Sequence, residues 1–139
     1  MTQLKEFSTF WVGNHHLAVD AALVQEVVPL IPCTPVPQTT PEVDGLMNLR
    51  GQIVLAIHLQ RRLTLDKSQP SPSQANLIVH TRDGLISLRV DQLGDVITLD
   101  QDCMEPIPLS VKGELRELAL GVFQLENSLL IQMDVSQVA

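Results

Sequence analysis

Gly45-Leu-Met-Asn-Leu49 and Gln52-Ile-Val-Leu-Ala-Ile57, joined by Arg50-Gly51, form the stretch whose reading decides the fold. Apolar residues crowd both arms around a two-residue turn, which reads as a β-hairpin. The same grammar extends in both directions. Upstream, Phe7–Val12 and His16–Val19 flank the turn Gly13-Asn14. Asp20 is a good N-cap for a short helical turn reaching Val24. Val27–Ile31 reads as an edge strand, because Pro29 cannot donate to a central ladder. Pro32–Pro41 holds four of the nine prolines and is an extended connection. Downstream, Asn76–Arg82 and Leu85–Val90 flank Asp83-Gly84, Asp95–Leu99 is a further strand, and Leu118–Leu125 pairs with Ser128–Met133 around Glu126-Asn127. Lys112–Leu118 has room for two helical turns at most. The fold class is therefore all-β with short helical turns.

The two halves echo each other. Leu17-Ala-Val-Asp20 answers Leu88-Arg-Val-Asp91, and each is followed by an acid–valine pair, Glu26-Val27 or Asp95-Val96. Gly45–Leu49 precedes a hairpin as Leu118–Val122 does, and Ile57-His-Leu59 closes the first half as Met133-Asp-Val135 closes the second. This order suggests a duplicated unit of small antiparallel barrels. The expected organisation is a first barrel half over 1–63, a polar Pro/Ser linker over 64–75 and a second half over 76–139. Each half is too small to cover its own core, so the two should share an interface. Val24, Val27, Ile31, Val36 and Val43 supply aliphatic residues either for that interface or for an open groove.

Composition excludes several functions. Apolar residues make up 45% of the 139, enough for a core, and a net charge of -7 repels phosphate backbones. With one Trp, three Phe and no Tyr there is no platform for stacking bases, so no nucleic acid is expected. No apolar run approaches the ~18 residues of a membrane span, and the N-terminus lacks a signal-peptide core, so a cytoplasmic protein without membrane insertion is expected.

Chemistry is equally sparse. Cys33 and Cys103 lie in no CxxC, and His15-His16 sits at a turn where neighbours face opposite ways, so no metal or cofactor is expected. His58 reads as a partly buried strand-end histidine. There is no nucleophile elbow, phosphate loop or dinucleotide fingerprint. Asp20, Asp44, Asp91 and Asp95 stand at strand ends or turns, where caps explain them. No enzyme is expected. One pattern stands out: no Lys or Arg occurs between Lys5 and Arg50. Arg50 is either a solvated turn residue or an anchor for another protein.

At this hairpin the sequence resembles the CheW-like domains, the coupling proteins of bacterial chemosensory arrays. Gly45-Leu-Met-Asn-Leu-Arg-Gly51-Gln-Ile-Val, preceded by Thr40-Pro-Glu-Val-Asp44, is similar to the family signature P-x-x-V-x-G-x-x-N-L-R-G-x-x-V. Leu23-Val-Gln-Glu-Val27, Leu88–Val96 and Leu129–Val135 resemble three further blocks in the family's order. The resemblance implies two SH3-like five-stranded β-barrels packed together. It also implies a non-enzymatic adaptor between the regulatory domain of a CheA-type histidine kinase and the cytoplasmic tip of a methyl-accepting chemoreceptor, in chemotaxis or pilus motility. Carried over by position, Arg50, Asn48 and Gly45 belong to the partner-binding surface, with Val24, Gln25 and Glu26 beside it.

The chain also departs from the family pattern. Where V-P-x-x-D-L-R is usual, Leu55, His58 and Gln60 replace Pro, Asp and Arg; Ser87 replaces Gly, and Arg89 occupies an apolar strand position. The alternative function is a barrel that binds or transforms a small molecule in the groove between its halves. A scaffold calls for a shallow apolar surface near Arg50, a ligand protein for a deep pocket with convergent polar groups.

Overall fold

Ten strands form in the computed structural model, which describes residues 3–37, 42–63 and 75–138. They are β1 (Leu4–Val12), β2 (His15–Asp20), β3 (Val24–Pro29), β4 (Val43–Leu49), β5 (Gln52–His58), β6 (Ala75–Thr81), β7 (Gly84–Val90), β8 (Gln92–Asp100), β9 (Ala119–Gln124) and β10 (Leu129–Met133). Two helices are short, α1 (Leu59–Arg62) and α2 (Gly113–Leu118). One five-stranded, barrel-like sheet has the order β8-β1-β2-β10-β9 and the other β3-β6-β7-β5-β4. The architecture is thus all-β, as the hairpin pattern indicates.

Two sequence expectations need correction. β3 starts at Val24 rather than Val27. Asp20 Oδ1 accepts from Ala22 N–H and caps a 3-10 turn over Ala21–Leu23, after which Val24 is already extended and faces Val79. Pro29 ends this strand, which is an edge as expected. The division at 1–63 and 76–139 does not follow the sheets. The first sheet takes β1 and β2 together with β8, β9 and β10, while the second is built from the contiguous run β3 to β7. Residues 64–74 of the Pro/Ser segment lie outside the described residues, and the segment joins α1 to β6, inside the second barrel's run of chain. Hairpin signals are local and carry no information on which distant hairpins share a sheet.

The duplication is nevertheless real in register. β2 pairs in parallel with β10, and β7 with β5. Thr34 bridges Leu46 at the edge of one sheet as Glu105 bridges Val122 at the edge of the other. Gly45 directly precedes the bridged Leu46 as Gly121 precedes the bridged Val122, three residues away from the pairing suggested by sequence. Both glycines admit a crossing chain. A Cβ on Gly45 would overlap the Thr34 carbonyl, and one on Gly121 would meet the Met104 side chain at 2.6 Å.

Apolar residues fall into three clusters. Phe7, Ala18, Phe123 and Leu130 fill the first barrel, with the Phe7 and Phe123 rings 5.3 Å apart. Met47, Leu49, Val54, Ala56 and Ile78 fill the second. A larger layer joins them, led by Phe10 and Leu17 from one sheet and Leu77 and Leu88 from the other. Each such side chain contributes about 1.5–3 kcal/mol on burial. α1 and α2 are clasped across this joint by Arg62, whose Nη1 lies 2.7 Å from Glu114 Oε2 while its Nε donates to the Val138 carbonyl at 2.9 Å.

This topology makes two predictions. A specific protease site inserted within residues 64–74 and then cut should leave two pieces that co-elute in gel filtration and part only under denaturing conditions, because β3 stays paired with β6 and β5 with β7. Separation on cutting would contradict the observed ladder. Gly45→Ala should destabilise the protein in urea titration by about 3 kcal/mol, through rigid overlap in a left-handed conformation. Gly121→Ala meets a flexible methionine and, less tightly, the Glu105 carbonyl at 3.0 Å, and should lose about 1–2 kcal/mol.

Candidate partner-binding surface

The hairpin tip is built by its own sequence. Arg50 and Gly51 have φ of +50° and +88°, the two left-handed residues of a tight turn whose twist matches its strands. Asn48 Oδ1 accepts from Gly51 N–H at 2.9 Å and locks that turn. Among the described residues Arg50 is the one non-glycine at positive φ. An L-residue there costs about 1 kcal/mol, so the guanidinium occupies a place that Gly or Asn would fill with less strain.

The tip reaches across the open side of its barrel. β3 and β4 are opposite edges of the second sheet, and Arg50 Nη2 pairs with Glu26 Oε2 over that seam. Gln25 Nε2 donates to the same Glu26 oxygen at 3.4 Å. The Arg50 side chain is 67% exposed, so the pair is strongly screened. Its guanidinium, hydrogen-bonded to the Glu26 carboxylate, holds that acid below the usual glutamate range. The strands of this barrel also expose aliphatic side chains: Val27 on β3, Leu46 on β4 and Ile53 on β5.

The six residues singled out from sequence thus divide. Arg50, Glu26 and Gln25 converge at the seam. Asn48 shapes the turn. Gly45 is buried against the Thr34–Leu46 crossing, and Val24 packs on the apolar layer between the sheets, so both position the surface from behind. Of the other aliphatics, Val43 joins that layer, Ile31 packs on the second barrel's interior, and Val27 is exposed.

A buried polar cluster lies at the other end of the seam. Asp44 accepts from Arg61 and Arg89, each at 3.3 Å. Arg89 Nε and Ser87 Oγ both donate to Asn76 Oδ1, at 3.2 and 2.9 Å, and Asn76 Nδ2 donates to the Pro29 carbonyl at 3.0 Å. Arg89 Nη2 donates to the Ile31 carbonyl. The sequence flagged Ser87 and Arg89 as departures but gave Asp44 only a turn role. The missed signal was that polar residues inside an apolar strand must find partners.

Two of the histidines have structural roles. His16 stacks on Trp11 with ring centroids 4.2 Å apart, and its Nδ1 is 3.0 Å from Ser128 Oγ. Buried His58 accepts from Arg61 N–H and caps α1. No group of three or more metal-ligating side chains occurs among the described residues. A cleft of about 600 Å3 lies beside Trp11 and His16, and another of about 500 Å3 beside Asp20 and Gln132; neither is lined by Arg50 or Glu26. No helix among the described residues is long and apolar enough to cross a membrane.

Comparison with known families gives a match to the CheW-like domain over residues 6–139. The chain belongs to the CheW-like family. It is 25% identical over 134 residues to the chemotaxis protein CheW of Rhizobium meliloti, covering 96% of this chain and 86% of that one. It is 28% identical over 129 residues to CheW of Bacillus subtilis, covering 93% and 83%. The crystal structure of the scaffolding protein TtCheW from Thermoanaerobacter tengcongensis superposes with a TM-score of 0.86 at 24% identity, covering 99% of this chain and 89% of that one, and so shares the CheW fold.

Burial lowers the pKa values of His15, His16 and His58 below the ordinary 6.5. The unfolded chain therefore binds more protons as pH falls through about 6.5, and stability drops in that window while remaining complete above it. Thermal unfolding should occur at lower temperature at pH 5.5 than at pH 7.5 (chosen about one unit either side of the ordinary value). His58→Asn, which can keep the cap, should flatten that dependence; an unchanged slope would remove His58 from the account. The Glu26 contribution is lost separately, in more acidic solution below about 4.5.

Proposed function

We propose that this CheW-like protein is a non-enzymatic scaffold that couples a CheA-type histidine kinase to the cytoplasmic tip of methyl-accepting chemoreceptors. The reading draws on the family membership and on relatives named as chemotaxis and scaffolding proteins. The observation that carries it is Arg50: exposed, strained at a hairpin tip and paired across a seam, in a barrel whose strands also expose Val27, Leu46 and Ile53. A backbone strained to present one side chain is selected for that side chain. An arginine among exposed aliphatics is the composition of an interface anchor.

The mechanism is binding energy. Two contacts of micromolar strength (~8 kcal/mol each) exchange readily when single and reinforce one another once joined through effective concentration. Receptor state then biases the kinase through differential contacts in one assembly. Gln25, Glu26 and Val27 extend the face beyond Arg50, while Asn48, Gly45 and Val24 hold it in shape.

The test is titration of the protein with the CheA-type regulatory domain from the same genome. Wild type should bind at micromolar strength, and Arg50→Glu at least tenfold more weakly (~1.4 kcal/mol). Arg50→Asn should bind weakly too, yet unfold at higher denaturant because Asn accepts the left-handed turn, a gain of about 0.5–1 kcal/mol. A folded wild type that binds no such domain would remove the kinase from the proposal.

A further inference from the structure

The seam of the second barrel has two ends, and each is spanned by an arginine. From the ladder β3-β6-β7-β5-β4, edges β3 and β4 run in opposite directions, so Glu26 and Arg50 share one end while Ile31 and Asp44 share the other. Arg89 on β7 spans the far end. It donates to the Ile31 carbonyl just beyond β3 and to Asp44 Oδ2 at the start of β4, and its Nε is fixed on Asn76. Asn76 and Ser87 are wholly buried, and the Arg89 side chain is only 11% exposed. Such a guanidinium has few alternative positions, because moving it would leave buried acceptors unpaired.

The first barrel shows that the topology does not require this arrangement. With Leu17 set against Leu88, as the repeated Leu-x-Val-Asp places them, the residues that correspond to Asn76, Ser87 and Arg89 are Thr9, His16 and Ala18. None of them is an arginine or a carboxylate, and that barrel closes without the clasp. The buried arginine occurs only in the barrel that also presents Arg50. Ser87 and Arg89 are, moreover, positions where this chain leaves the pattern it otherwise resembles.

We infer that Arg89 is a positioning residue for the partner surface: by tying Ile31 to Asp44 it sets the spacing of β3 and β4, and so the alignment of Glu26 with Arg50 at the opposite end. Its consequence for affinity rests on the scaffold reading, whereas its geometric content does not. An arginine fork can hold three acceptors on different strands at once; a lysine ammonium, as a compact point charge, cannot reproduce that geometry.

The experiment follows the Glu26 carboxyl by carbon NMR through an acid titration, in wild type, Arg89→Leu and Arg89→Lys, alongside calorimetric titration with the kinase regulatory domain. In folded Arg89→Leu the Glu26 midpoint should rise toward that of an ordinary glutamate, and affinity should weaken about fivefold or more. Arg89→Lys should fall between. A Glu26 midpoint unchanged in folded Arg89→Leu overturns the inference; if that variant does not fold, an unchanged midpoint in Arg89→Lys does so. If the midpoint moves but wild type binds no regulatory domain, the scaffold reading fails and Arg89 stands as the organiser of the seam. If the midpoint moves and affinity does not, Arg89 has no role in partner binding and the inference fails there.

Discussion

The apolar layer between the two sheets is the constraint on which the rest of the molecule depends. Neither sheet can leave its inner-facing surface in water, and the residues that cover it are matched by register: Phe10 with Leu77, and Leu17 with Leu88. The contact is thus quasi-symmetric, the same face of one unit set against the same face of the other, as in a two-fold dimer fused into one chain. Val24, the first residue of β3, packs on this layer, so the edge strand bearing Gln25 and Glu26 is fixed by the joint before any partner arrives.

Within that frame the second barrel divides rigidity and exposure between the ends of one seam. At the buried end, hydrogen bonds to Asn76, Asp44 and two main-chain carbonyls leave little freedom. At the exposed end a single screened ion pair is easily exchanged for contacts with another protein. Strain concentrates there as well, in the left-handed Arg50. Association between prearranged surfaces loses less conformational entropy than association between mobile ones, which favours binding that is modest yet specific.

Much of this was legible in the sequence because it was local. The hairpins, the Asp20 cap and the Arg50-Gly51 turn are decided by residues a few positions apart. The repeat of Leu-x-Val-Asp was legible too, since β2 and β7 are equivalent strands. The sheet assignment was not: β1 joins β8, and β3 joins β6, through contacts that span much of the chain and leave no mark on adjacent residues. α1 went unread because four residues carry no periodicity, although His58 caps it. Arg50 stood out by charge, but its partner Glu26 lies on a strand whose start was placed three residues late. The cluster around Arg89 was half visible, an anomaly of composition whose partners only the fold supplies.

The two Leu-x-Val-Asp segments end at Asp20 and Asp91, where the chain leaves one barrel for the other. Asp20 closes one crossing with Lys5 and Ala22, and Asp91 closes the second by accepting from Gly13 N–H at 2.7 Å. The barrel that bears Arg50 is consequently tethered at both ends to its neighbour. A body hung from one thread can spin about it, whereas one held at two separated points resists torque. A twist applied at the hairpin tip is thereby opposed at two strand crossings rather than at one.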